Sequence, residues 1–209
     1  MNLQILHEDA DLIAVHKPHG LLCQPGRGPE KFESVATRIR ATWPDARIVH
    51  RLDRDTSGVM VLARGPAAHR HIGRQFETRQ VEKTYVAQVW GEIEGAGGRI
   101  DLPLRKDMDQ RLPPRHLVDH ELGKPASTTW RRLACEDGQS RLEIRPVTGR
   151  SHQIRVHLEA IGHPILGDPI YAPPQARAAA SRLLLHATRL TLHHPADGHR
   201  VTFTAPCPF

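Results

Sequence analysis

The stretch His50-Arg51-Leu52-Asp53-Arg54-Asp55-Thr56-Ser57-Gly58 sets one short carboxylate, Asp53, between two arginines. A carboxylate flanked by fixed cations is favoured as the anion. That is the state a nucleophile or a base needs at neutral pH. The stretch does not read as regular structure, because Asp, Thr, Ser and Gly form side-chain-to-backbone bonds and tolerate unusual dihedrals, both of which favour turns. On residue types alone, a surface turn whose Asp53 and Asp55 accept backbone N–H bonds fits at least as well. The flanking pieces position the loop: Ala46-Arg47-Ile48-Val49 leads in with β-branched residues, and Val59 to Ala63 leads out as a buried strand.

Two other segments carry residues able to bind or position a substrate. Val81 to Gly91 is β-branched and aromatic, hence a strand. Its two-residue period puts Lys83, Tyr85, Ala87 and Val89 on one face. A tyrosine there can stack on a base and make a polar contact through its hydroxyl, or it can be a half-buried core residue. Arg145 to His157 contains Thr148-Gly149-Arg150 at a helix entrance, where backbone donors and a guanidinium would lie side by side. The alternative is an ordinary helix running from Ser151 to Ile161, capped by Ser151 and ended by Gly162, with Ile154, Leu158 and Ile161 on its apolar stripe.

His-Arg-Leu-Asp-x-x-Thr-Ser-Gly resembles the signature of the RluA family of RNA pseudouridine synthases, and the match at 50–58 is unbroken. Lys83-Thr84-Tyr85 resembles the family's Lys-x-Tyr motif, and Thr148 to His157 resembles its Thr-Gly-Arg-x-His-Gln-Ile-Arg-x-His motif. The resemblance implies that Asp53 is catalytic, that Tyr85 packs against the target base, and that Arg155 pairs with Asp53. It also implies that Ile154 walls the base and that Arg51 enters the space the base vacates, where a plain phosphate contact is the alternative. Lys83 and Arg150 join these as RNA contacts. Gly162 to Pro169 and Leu184-Leu185-His186-Ala187 resemble structural motifs of the family and receive no catalytic role. Together with Gly123 to Ala126 and the His186-Ala187 segment, the chain length resembles the subgroup of that family that acts on large-subunit (23S) ribosomal RNA and on tRNA.

The expected activity is therefore a cofactor-free isomerisation of uridine in structured RNA. The glycosidic bond breaks, the uracil turns while held, and carbon replaces nitrogen as the link to ribose. Asp53 attacks the ribose, attacks the base or removes a ribose proton; the residues leave that choice open. Two other readings remain: a non-catalytic RNA-binding module, and an RNA hydrolase built on an Asp–His pair such as Asp53 with His152.

The elements that must carry these residues read as a mixed, largely antiparallel sheet with flanking helices, an α+β architecture matching the pseudouridine synthase fold that the resemblance implies. Leu3–Leu6 and Leu12–Val15 form a hairpin, 32–43 a helix with Ser34 as a possible cap, and 66–79 a helix opened by Pro66. Gly95 to Gly98 reads as a turn, and 101–124 as a loop with Pro103, Pro113 and Pro114 among Arg105, Lys106, Arg111 and Arg115. Trp130–Leu133, Arg141–Val147, Leu183–Ala187 and Val201–Phe203 are further short apolar runs. No linker breaks the chain, so residues 1–209 are expected to form a single catalytic domain with no appended S4-type RNA-binding domain.

Composition narrows the partners. The 209 residues carry a net charge of +6 and a pI near 9.7, which favours a polyanion. Lysine occurs only at 17, 31, 83, 106 and 124, so 24 of the 29 basic residues are arginine, suited to phosphate forks and base stacking. No apolar run approaches a membrane span and no secretory signal opens the chain, so a cytosolic monomer with no membrane partner is expected. Cys23, Cys135 and Cys207 are too few and too scattered for a disulfide framework. The histidines at 69, 71, 193, 194 and 199 lack a ligand set, so no metal is expected.

Overall fold

A computed structural model describes residues 3–109 and 113–209, so Arg111 of the 101–124 reading lies outside the described residues. In chain order the elements are β1 (Gln4–Glu8), β2 (Leu12–Lys17), α1 (Val35–Arg40), β3 (Ala46–Ile48), β4 (Ser57–Arg64), α2 (Gly65–Glu77), β5 (Glu82–Trp90) and β6 (Gly97–Asp101). There follow β7 (Leu104–Lys106), β8 (His116–Val118), β9 (Ser127–Glu136), β10 (Gln139–Pro146), α3 (Gln153–Ala160), α4 (Pro174–Ala178), β11 (Leu185–His193) and β12 (Arg200–Thr204). They fall into two compact units, Met1–Lys83 with His186–Pro208, and Thr84–Leu185 with Phe209.

In the first unit the strands run β1-β2-β4-β11-β12. The β1–β2 turn is set by Asp9, whose Oδ1 accepts the N–H groups of Asp11 and Leu12, both at 2.8 Å. β4 is the axis. It pairs antiparallel with β2, antiparallel with β3 near its end, and parallel with β11 at its start, where Ser57 faces His186 and Gly58 faces Ala187. That strand is buried from Ser57 to Ala63, as its continuous apolar run requires. One face packs under α2 through Val59, Val61, Ala63, Ala68 and Ile72. The short helix α1 opens on the expected cap: Ser34 Oγ accepts the Thr37 N–H and Thr37 Oγ1 accepts the Ser34 N–H, a reciprocal box that satisfies two helix-end donors.

In the second unit the order is β5-β10-β9-β6, all antiparallel. The core beneath it joins Ala87 and Val89 of β5, Leu142 and Ile144 of β10, and Ile154 and Leu158 of α3. The alternation Leu142, Ile144 against Arg141, Glu143, Arg145 holds as read, inward and outward.

Three local expectations change. Gly97 and Gly98 lie in β6 rather than a turn, because glycine shows no side-chain period to read. Residues 101–124 are not all loop: β7 and β8 pair antiparallel, Leu104 opposite Val118. Ser151 does not cap α3. His152 holds that position in the left-handed conformation, φ 55°, with no side-chain cap bond.

Candidate active-site residues

Asp53 sits half-buried on the irregular loop that enters β4, in the first unit, and the chain around it is tied at several points. Lys17, 0 % exposed, drives its ammonium under the loop and donates to the carbonyls of Pro18, Leu21 and Arg54 at 2.9, 2.8 and 2.8 Å. Cys23 holds Leu52, the residue before Asp53: Sγ donates to the Leu52 carbonyl at 3.1 Å and accepts its N–H at 3.3 Å. The Thr56 N–H donates to the Asp53 carbonyl at 3.2 Å, closing the turn.

The downstream end is fixed by His186. Its Nε2 faces the Ala205 carbonyl at 3.2 Å, so that nitrogen carries the proton, and Nδ1 accepts from the Ser57 hydroxyl at 2.8 Å. Gly58, at φ 122°, lets β11 approach: a Cβ there would stand 2.2 Å from the Ala187 carbonyl oxygen. The Ser-Gly of the loop motif and the His-Ala of the later segment are thus two halves of one parallel strand contact.

His50 is held neutral. Burial first, and the positive charge of Lys83 second, push its pKa down to about 3, and its Nε2 accepts the Val61 N–H at 3.0 Å. Its ring stacks on Phe76 with centroids 4.6 Å apart. Burial also lowers the pKa of Lys83, which is half-buried on β5. Arg51 is exposed.

Tyr85, Arg150, Ile154 and Arg155 belong to the second unit. Tyr85 is half-buried against the apolar cluster that contains Ile154, so these two predicted base contacts share one wall. Arg150 is exposed, its Nε donating to the Pro125 carbonyl at 3.3 Å. The backbone donor expected to be open beside it is used: the Arg150 N–H donates to Gln153 Oε1 at 3.0 Å. Gln153 is buried and also accepts from Thr148 Oγ1, while its amide donates to Ser127 O and Thr128 Oγ1. The motif's glutamine is a buried cross-tie between helix and sheet. His157 does similar work, with Nε2 bonded to the Leu102 carbonyl and Nδ1 to Thr128 Oγ1. Burial lowers its pKa.

Arg155 makes a two-pronged pair with Asp168: Nε to Oδ2 and Nη2 to Oδ1, each 2.7 Å, with side chains 2 % and 0 % exposed. Asp168, which pairs with Arg155, receives no role from the sequence, although its Gly167-Asp168-Pro169 segment resembles a family motif. Lys17 and Cys23 were likewise unassigned. Their signal in sequence is only the Lys-Pro-His-Gly break and a lone cysteine, neither of which names a partner.

The first unit also gathers His7, Asp9, His194, Asp197 and His199. His194, Asp197 and His199 bring their ligand atoms within 4.8 Å of one another. The two imidazoles are stacked, centroids 5.1 Å apart and planes 18° from parallel, so their in-plane lone pairs do not converge on one ion. Asp9 is committed to its turn and to both His7 and His194. The cluster ties the β1–β2 turn to the β11–β12 hairpin.

Comparison with known proteins gives a consistent result. Residues 11–160 match the RNA pseudouridylate synthase family. The chain is 51 % identical over 208 residues to the dual-specificity RNA pseudouridine synthase RluA of Escherichia coli strain K12, covering 99 % of this chain and 94 % of that one. It is 48 % identical over 206 residues to the Yersinia pestis enzyme of the same name, covering 98 % and 99 %. Among solved structures, human RNA pseudouridylate synthase domain containing 1 superposes with a TM-score of 0.81 at 30 % identity, covering all of this chain and 84 % of that one.

Proposed function

This chain belongs to the RluA family of RNA pseudouridine synthases, isomerases of uridine in RNA, and we propose that it modifies two kinds of stem-loop, one in 23S ribosomal RNA and one in a tRNA anticodon arm. The observation that carries this reading is the near-complete match to a dual-specificity relative. A loop uridine is the least costly base to extrude, which suits a hairpin substrate.

In the proposed reaction Asp53 is the catalytic residue. Arg155 pairs with it and keeps it charged in a partly dry pocket. Tyr85 stacks on the uracil and Ile154 walls its edge. Arg51 fills the space left in the RNA stack, while Lys83 and Arg150 contact the backbone. Substrate and product have the same composition, so no co-reactant enters the balance. The enzyme works as a cytosolic monomer alongside its RNA.

Release of tritium from carbon-5-labelled uridine tests this on isolated 23S and tRNA stem-loops at fixed salt, since phosphate contacts make affinity salt-dependent. Both hairpins are expected to turn over with RNA mass unchanged. Modification of neither, alongside efficient modification of a paired uridine or an assembled ribosome, would overturn the substrate assignment. A cleaved product would overturn the isomerase chemistry.

A further inference from the structure

We propose that Asp168 is a positioning residue for the reaction: it fixes the direction and the plane of the Arg155 guanidinium. The inference rests on the reading above, in which Arg155 is the partner of Asp53. Three observations carry it.

First, the pairing is side-on. Asp168 takes Nε and Nη2, which sets both the direction and the rotation of the planar fork. A lysine at 155 would supply the charge without that geometry.

Second, Asp168 is itself held by backbone. Its Oδ1 accepts the N–H groups of Ile170 and Tyr171 at 2.9 and 3.1 Å. The chain reaches it through Gly167 at φ 70°, where a Cβ would strike the Arg182 carbonyl oxygen at 1.9 Å. The carboxylate therefore dictates to the arginine rather than following it.

Third, the face of the guanidinium is covered. Arg155 Cζ lies 5.0 Å from the centre of the Tyr171 ring, a cation–π distance. The Tyr171 hydroxyl accepts the His116 N–H at 2.9 Å and bonds to His152 Nδ1 at 2.8 Å, so the ring is fixed at its far end too. Plane and tilt are both set before substrate arrives. Stability alone accounts poorly for such a pair, because burying two charges costs about as much as their attraction returns. Preorganisation of a catalytic contact accounts for it well.

The test is a double-mutant comparison on a uridine stem-loop, with kcat, KM and melting measured for the wild type, Asp168→Asn, Arg155→Met and the double variant. Asp168→Asn is expected to lower kcat by at least about tenfold with KM changed less than about threefold, and to cost less than about twofold further in the Arg155→Met background. An equal loss in both backgrounds, with Arg155→Met itself slow, would overturn the positioning role alone. Arg155→Met turning over at the wild-type rate would instead overturn the reading of Arg155, and the inference with it. Should Asp168→Asn fail to fold, the Arg155 Nε–H signal in 15N NMR of the Asp53→Asn enzyme decides. Slow exchange and hindered rotation there support an arginine held by Asp168 without Asp53; a freely rotating guanidinium overturns it.

Discussion

Cys23 and the backbone of Leu52 are bonded twice, thiol to carbonyl and amide to sulfur, so a side chain 29 residues upstream fixes the peptide that leads into Asp53. Burial raises the pKa of this thiol, and the Leu52 contact opposes that only in part. The thiolate needed for alkylation is therefore scarce. In the native protein Cys135 and Cys207, both partly exposed, should react with iodoacetamide first, and Cys23 only after denaturant is added. Mass mapping of the alkylated cysteines checks the order. Cys23→Ala should lower stability by about 1–3 kcal/mol, since both bonded groups of Leu52 stay buried without a partner.

Asp53→Asn should abolish isomerisation and leave RNA affinity close to the wild type. Asparagine preserves size and polarity and removes only the charge that the proposed role of Asp53 needs. Tritium release combined with filter binding separates the two effects. Sustained release by this variant would remove Asp53 from its role.

Tyr85→Phe should bind and turn over better than Tyr85→Ala, because the ring supplies the π-face and most of the apolar contact with Ile154's cluster. Steady-state kinetics on one stem-loop are sufficient. Equal loss in both variants would mean that the hydroxyl takes part in the chemistry, and wild-type behaviour in both would make Tyr85 peripheral.

Acid should weaken the fold partly through His50. Its pKa of about 3 in the folded state lies below the ordinary value of 6.5, so the unfolded chain binds the extra proton between those limits. Stability from this group is fully present above pH 6.5 and is lost as pH falls from there toward 3. By pH 5 the loss is on the order of 2 kcal/mol. His157, its pKa also lowered by burial, acts in the same direction. Urea unfolding at pH 7 and pH 5 measures the total. His50→Gln keeps an acceptor for the Val61 N–H but cannot titrate, so it should flatten the slope; an unchanged slope would clear His50.

What sequence could reveal followed from local physics. The β4 run, the proline opening of α2, the Ser34 cap and the irregularity of residues 50–56 are all written in side-chain periods, helix-end preferences or turn chemistry, and the structure has them. β6 was hidden because Gly97 and Gly98 have no period, and β7–β8 because prolines and arginines mask two three-residue strands. The Thr-Gly-Arg entrance reads as an open donor site, but only the fold shows the Gln153 side-chain Oε1 taking the Arg150 N–H. Asp168 stood in plain view in a Gly-Asp-Pro segment. Its partner is 13 residues away on another element, and no spacing rule connects them.

The bond between Ser57 and His186 spans 129 residues of chain. During synthesis the loop that bears Asp53 leaves the ribosome well before the strand that anchors its downstream end. Contacts of such long sequence separation form slowly, because loop closure precedes the stabilising pairing. A nascent chain arrested before His186 should carry every residue of the His50–Gly58 signature and still lack an ordered Asp53 loop. Order in the loop would then arrive only with the strands that carry His186 and Ala187.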